Sequence, residues 1–319
     1  LHTVAYNAFL LIELQRVLEV LQARDIPVIV LKGPVLGQLL CRDPALRPMG
    51  DLDLLLRRED RERISKILQD LGYALETQYG LGHTLIFLRQ FGAEVMARRD
   101  MGQLSVHLDL HEHLINVEWI RRASAVDIEC LWSEAQPFCL DGIELAQQLG
   151  PEHLLIHLCI HWAAHGFTGW GRGRELAQVV RVLPLDWDRL IKQARTFRVS
   201  IAVYWALFLA GQASPSSVLR ALRPTCWRRQ LLMKLAGPER VARFDEGPAD
   251  KARFLMHLAL VDRWQDMLKV VRFVFLPEPE WVRERYCLSS HWQVLTHYPK
   301  HWGRMFCYGC RAIIQAARL

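Results

Sequence analysis

No apolar run in the 319 residues reaches the roughly 18 that suggest a membrane-spanning helix, and the longest candidate, 201–210, is too short. No membrane partner is expected. A basic segment leading into an apolar core and a cleavage site is also missing, so no secretory leader is read. The first residue is Leu1 and not Met, which reads as a fragment lacking a short N-terminus. Eight cysteines at irregular spacing form no disulfide framework; they favour free thiols in a reducing compartment, and a cytoplasmic protein is expected. The single Cys-x-x-Cys, Cys307 to Cys310, lacks the second pair that a structural zinc site usually needs, and reads as two incidental thiols on a late helix. The net charge of +6 is dispersed through pairs such as Arg57-Arg58 and Arg121-Arg122. Without a long basic run or interleaved aromatics, no nucleic-acid groove is indicated. No repeat at a period of about 20–50 residues appears, which argues against a solenoid.

What is present is concentrated in Arg47-Pro48-Met49-Gly50-Asp51-Leu52-Asp53-Leu54-Leu55-Leu56. Alternation along a strand puts Asp51 and Asp53 on one face and Leu52, Leu54 and Leu56 on the other. Two like charges at the start of an apolar strand repel unless a cation offsets them, and a hard divalent ion is the simplest agent. A solvated strand start is the competing reading. Upstream, Ile26 to Leu31 is a β-branched run ending at Lys32-Gly33-Pro34, after which Val35, Leu36, Leu39 and Leu40 take up helical spacing. Gly33 allows close backbone approach, Pro34 suits the first helical position, and free amides at a helix start attract phosphate, with Lys32 adding a point charge. Arg47 suits either bidentate phosphate contact or a pin on a loop carbonyl. Downstream, 104–114 alternates strictly, with His107, Asp109 and His111 sharing a face. If that strand lies beside the first, Asp109 becomes a third carboxylate, and the three form a cage for two magnesium ions. His111 would then orient Asp109 or a bound phosphate.

Lys32-Gly33, the run from Asp43 through Leu55, the Leu71-Gly72-Tyr73 turn, Leu108-Asp109-Leu110-His111 and the stretch Pro151 to His161 together resemble the uncharacterised nucleotidyltransferase family of the polymerase-β-like superfamily. The resemblance covers most of the chain. It implies an α+β polymerase-β-like nucleotidyltransferase head, a mixed sheet with flanking helices, followed by an all-helical domain. It also implies metal-dependent transfer of a nucleoside monophosphate from a nucleoside triphosphate to a hydroxyl or other nucleophile, with release of pyrophosphate. Asp51, Asp53 and Asp109 would be the metal ligands and catalytic acids, Mg2+ the cofactor, and Lys32, Gly33 and Arg47 the phosphate contacts. The wider superfamily usually has Gly-Gly or Gly-Ser at the turn before the acids, whereas Lys32-Gly33 stands there in this chain. The acceptor (small molecule, peptide, protein or RNA) is not specified. The alternative is a nucleotide-binding regulatory or maturation partner that keeps the fold without catalysis.

The chain divides, on pattern, into a nucleotidyltransferase domain at 1–150 and a helical domain at 151–319, a candidate for acceptor binding. The first 25 residues form an amphipathic helix with Leu10, Leu11, Leu14, Val17, Leu18 and Leu21 inward and Glu13, Arg16 and Glu19 away from the core. Strands are predicted at 73–77, 83–89, 93–97 and 105–110, and a hairpin around Asp141-Gly142. In the second half, 249–275 is predicted as one helix and 304–317 as the last. His153, His157, His161 and His165 recur at every fourth position on one helical face. Such a stripe can chelate zinc, hydrogen-bond at a domain interface, or turn His161 or His165 to the cleft; the Glu of a His-Glu-x-x-His motif is absent. Trp162, Trp170 and Trp187 are candidate stacking surfaces or buried core.

Overall fold

The computed structural model describes residues 2–41, 43–77, 95–140, 143–211, 213–243 and 250–318. The strand expected at 83–89 and the Asp141-Gly142 tip lie outside them. Two compact units are present: Leu1–Asn116 with Asp127–Leu154, and Val117–Val126 with Leu155–Leu319.

The first unit is built on a mixed seven-stranded sheet. In chain order its elements are α1 (His2–Gln22), β1 (Val28–Val30), α2 (Gly33–Leu40), β2 (Leu52–Leu55), α3 (Arg61–Asp70), β3 (Ala74–Thr77), β4 (Val95–Met101) and β5 (Leu104–His111). After β5 the chain forms α4 (Glu118–Ala123), which belongs to the second unit, then α5 (Ile128–Ser133), β6 (Gln136–Pro137) and β7 (Ala146–Gln148). The strand order is β3-β4-β5-β2-β1-β7-β6, so β2 runs through the middle. It pairs antiparallel with β1 and parallel with β5. Leu52, Leu54 and Leu55 are fully buried, as a central strand covered on both faces requires.

Helix α1 buries Leu10, Leu14, Val17, Leu18 and Leu21 at the predicted spacing. Glu13 is a correction: it is buried, not turned to water. Its Oε2 accepts from Tyr73 Oη at 3.2 Å and from Arg99 Nη1 at 2.8 Å, which ties α1 to the β4 side of the sheet. Isolated inside the core, that carboxylate would carry a heavy desolvation cost; the guanidinium offsets it.

The second unit is helical. It contains α4, most of α6 (Pro151–Ala164) and the helices that follow. The helix predicted at 249–275 is two helices, Asp250–Ala259 and Trp264–Phe275. The break has a local cause. Arg228 donates to the carbonyls of Val261 at 2.7 Å and Asp262 at 3.0 Å, and the Asp262 carboxylate accepts from Ser200 N and Ile201 N, both at 2.9 Å. These bonds hold residues 260–263 out of helical continuation and cap the helix Ser200–Leu209. The last helix is longer than its pattern suggests, running from His291 to Arg318 with Pro299 inside it. It is anchored near the proline by Trp302 Nε1 on Phe275 O at 2.6 Å and Tyr298 Oη on Pro277 O at 2.7 Å. No described helix is long and apolar enough to cross a membrane.

Candidate active site

The acids are assembled by register. Parallel pairing of β2 with β5 sets Asp53 opposite Asp109 and Leu55 opposite His111. Because facing residues on paired strands project to the same side, the two carboxylates share one face. Asp53, Asp109 and His111 present donor atoms all within 4.8 Å of one another. Asp51, one residue before β2, is exposed at the mouth of the strand and lies outside that group.

Asp53 is the electrostatic centre. It is almost fully buried, and its Oδ1 accepts from Lys32 Nζ at 2.6 Å and from His111 Nε2 at 2.8 Å. Burial pushes its pKa up; the Lys32 ammonium and the His111 hydrogen bond more than reverse this, holding the carboxyl well below the usual range. It is therefore ionised. His111 bonds Asp53 through Nε2, and its Nδ1 lies 3.1 Å from Asn116 Oδ1. The Asp51 carboxyl is raised, by desolvation and then by the Asp53 charge, against the opposing pull of Lys32 and His111. Both of its principal causes are ones that a bound dication counteracts.

Lys32 holds an unusual backbone. It caps the N-terminus of α2 at φ 38° and ψ −97°, a region that L-residues with side chains rarely enter. That turn carries its ammonium to Asp53. Gly33 begins α2, and a Cβ there would stand 3.2 Å from Met49 Sδ and 3.6 Å from Asp51 O. Glycine thus lets the first turn of α2 lie against the segment that feeds Asp51. Arg47 donates to Gly33 O at 3.4 Å, a long bond that matches the loop-pinning role.

Asn7 was not among the residues expected at the site. It is fully buried on α1; its Nδ2 donates to Ala45 O at 2.6 Å and Arg47 O at 2.8 Å, and its Oδ1 accepts from Met49 N at 3.2 Å. One side chain holds the loop that delivers Asp51. A polar residue within an apolar helical face was the available signal.

The histidine stripe is not one site. His153 and His157 are buried, His161 is half-buried and His165 is exposed. The ring centroids of His161 and His165 are 4.6 Å apart. Of the four, only His153 joins a group with metal-ligand spacing among the described residues, and that group contains none of the other three. Trp162 is core: Nε1 donates to Thr168 O at 2.9 Å and its ring packs edge-on against Phe167. Trp187 is half-buried, and the Trp170 side chain is outside the described set.

A mixed sheet with flanking helices, Asp53 and Asp109 paired on neighbouring strands and a helical remainder fit the nucleotidyltransferase class. The chain belongs to a family described as uncharacterised nucleotidyltransferase, whose model matches residues 1–214. No curated protein and no solved structure matches the chain.

Proposed function

We propose that the protein transfers a nucleoside monophosphate from a nucleoside triphosphate to a nucleophilic acceptor, releasing pyrophosphate, with Asp51, Asp53 and Asp109 as the acidic centre. Family membership supports the reaction class. The observation that carries the residue assignment is the β2–β5 register, which pairs Asp53 with Asp109 on one face.

The donor set fits a hard divalent cation. Carboxylate oxygens predominate, and the Lys32 and His111 contacts of Asp53 both fall on Oδ1. Asp51, Asp53 and Asp109 would hold Mg2+, whose chemistry here is neutralisation of the triphosphate and of the charge that develops on the attacking and leaving oxygens. The remaining steps fall to the chain. Lys32 and the amides at the start of α2 bind and orient the phosphates. Asp109 takes the proton from the acceptor as its oxygen or nitrogen bonds to the α-phosphorus. The bond from that phosphorus to the bridging oxygen breaks in line, and pyrophosphate departs. His111 keeps Asp53 ionised and oriented throughout.

The second reading, a nucleotide-binding module without turnover, draws on one feature: Asp53 is already paired with the Lys32 ammonium and hydrogen-bonded to His111. Release of labelled pyrophosphate in magnesium, from a panel of triphosphates and candidate acceptors, separates the two. Turnover is expected, and Asp53→Asn should lower it by at least about 100-fold, the upper range for groups that support a metal. Nucleotide binding without turnover across the panel would favour the module.

A further inference from the structure

A second cluster stands apart from the carboxylates in composition. Cys130 lies on α5, Glu134 immediately follows that helix, and His153 lies in the first turn of α6. Their donor atoms are all within 4.8 Å of one another. We propose that Cys130, Glu134 and His153 bind a transition-metal ion of the zinc class, fastening the end of α5 to the start of α6.

The geometry supports coordination better than an ion pair. His153 Nδ1 lies 3.5 Å from Glu134 Oε2, longer than a charge-assisted hydrogen bond of about 2.7–2.9 Å. Donors on a tetrahedral zinc ion with ordinary bond lengths stand about 3.4–3.6 Å apart. The ligand types also suit that ion: thiolate, carboxylate and neutral imidazole sum with a dication to zero charge, so the filled site can be held next to buried His153 without an unpaired charge. A thiolate selects against magnesium, which separates this site from the aspartate centre.

The backbone positions the three ligands. Cys130 and Glu134 are four residues apart, linked by Glu134 N on Cys130 O at 3.2 Å, so their side chains leave the same side of the helix end. Asp127 caps α5 by accepting from Glu129 N at 3.0 Å and Cys130 N at 3.2 Å, which fixes the cysteine. The β6–β7 hairpin then returns the chain. Gly150 completes the approach: a Cβ there would stand 3.1 Å from Glu134 O, so a side chain at this position would push α6 and His153 away. With three protein ligands, the fourth position is open to water.

The test is a titration of the chelator-treated full chain with Co2+. A thiolate-to-cobalt charge-transfer band should appear, saturate at one ion per chain, and vanish when Zn2+ displaces the cobalt. Cys130→Ser should lose the band, whereas the double variant Cys307→Ser, Cys310→Ser should keep it. Glu134 is partly exposed, so Glu134→Gln tests the site if the cysteine variant fails to fold. It should retain the native circular dichroism and bind Co2+ at least about tenfold more weakly. Absence of the band in the unmodified chain, its persistence in Cys130→Ser, or unchanged affinity in Glu134→Gln would each overturn the proposal.

Discussion

Asp53 and Asn7 mark the two ends of what single residues reveal. Asp53 could be found because strand alternation has a period of two: once Asp51, Asp53 and Asp109 fall on odd positions of two alternating runs, only the adjacency of the strands is left to establish. The β2–β5 pairing supplies it. Lys32 was legible as a charge at a turn, but its bond to Asp53 was not, because it depends on a positive φ that sequence patterns assign to glycine. Asn7 showed only as a polar residue within an apolar helical face, and its contacts were illegible. Its partners are backbone groups 38 to 42 residues away, and any sequence can supply a carbonyl. Asn7→Ala leaves the Ala45 and Arg47 carbonyls and the Met49 amide without that side chain. A loss of about 2–4 kcal/mol in urea unfolding is expected from the stranding of buried polar groups. Nucleotide transfer should fall with it, although no proposed ligand is changed.

At the scale of elements, the strongly periodic ones were legible and those set by distant partners were not. Helix α1 and the strand β5 follow their apolar spacing. Glu13 defeated the same logic because Arg99 and Tyr73, far along the chain, make its burial acceptable. The helix break at residues 260–263 depends on Arg228, more than thirty residues earlier. Beyond that break, Pro299 marks a stop by local rules, yet the final helix continues through it under tertiary anchoring. Packing in the second unit also carries a pH dependence. His257 is buried with Nε2 donating to Ala163 O at 3.2 Å, and burial depresses its pKa from 6.5 to about 4. Above pH 6.5 the imidazole is neutral in folded and unfolded chains alike. As the pH falls from 6.5 towards 4, the unfolded chain takes up a proton that the folded chain refuses, so stability declines by about 3 kcal/mol and this contribution then levels off. Urea unfolding at pH 7, 5.5 and 4 should show this loss, and His257→Asn should remove most of its slope.

For the whole molecule, the sheet order, the family match over residues 1–214 and the helical remainder agree on a nucleotidyltransferase head followed by helices. The reaction class was readable through the family resemblance carried by the Lys32-Gly33 turn, the Asp51/Asp53 run and the Asp109 strand. The acceptor was not, since recognition of an acceptor is distributed over side chains with no fixed spacing. Cys130, Glu134 and His153 were equally hidden: they converge only after the β6–β7 hairpin has turned the chain back. The central claim concerns the three aspartates as one cation-binding unit with the triphosphate. Its most direct test is electron paramagnetic resonance of Mn2+ bound to the full chain with a non-hydrolysable nucleoside triphosphate, compared with Asp53→Asn and Asp109→Asn. Mn2+ should bind tightly in the ternary mixture and be lost from both variants; unchanged Mn2+ binding in either variant would contradict the assignment.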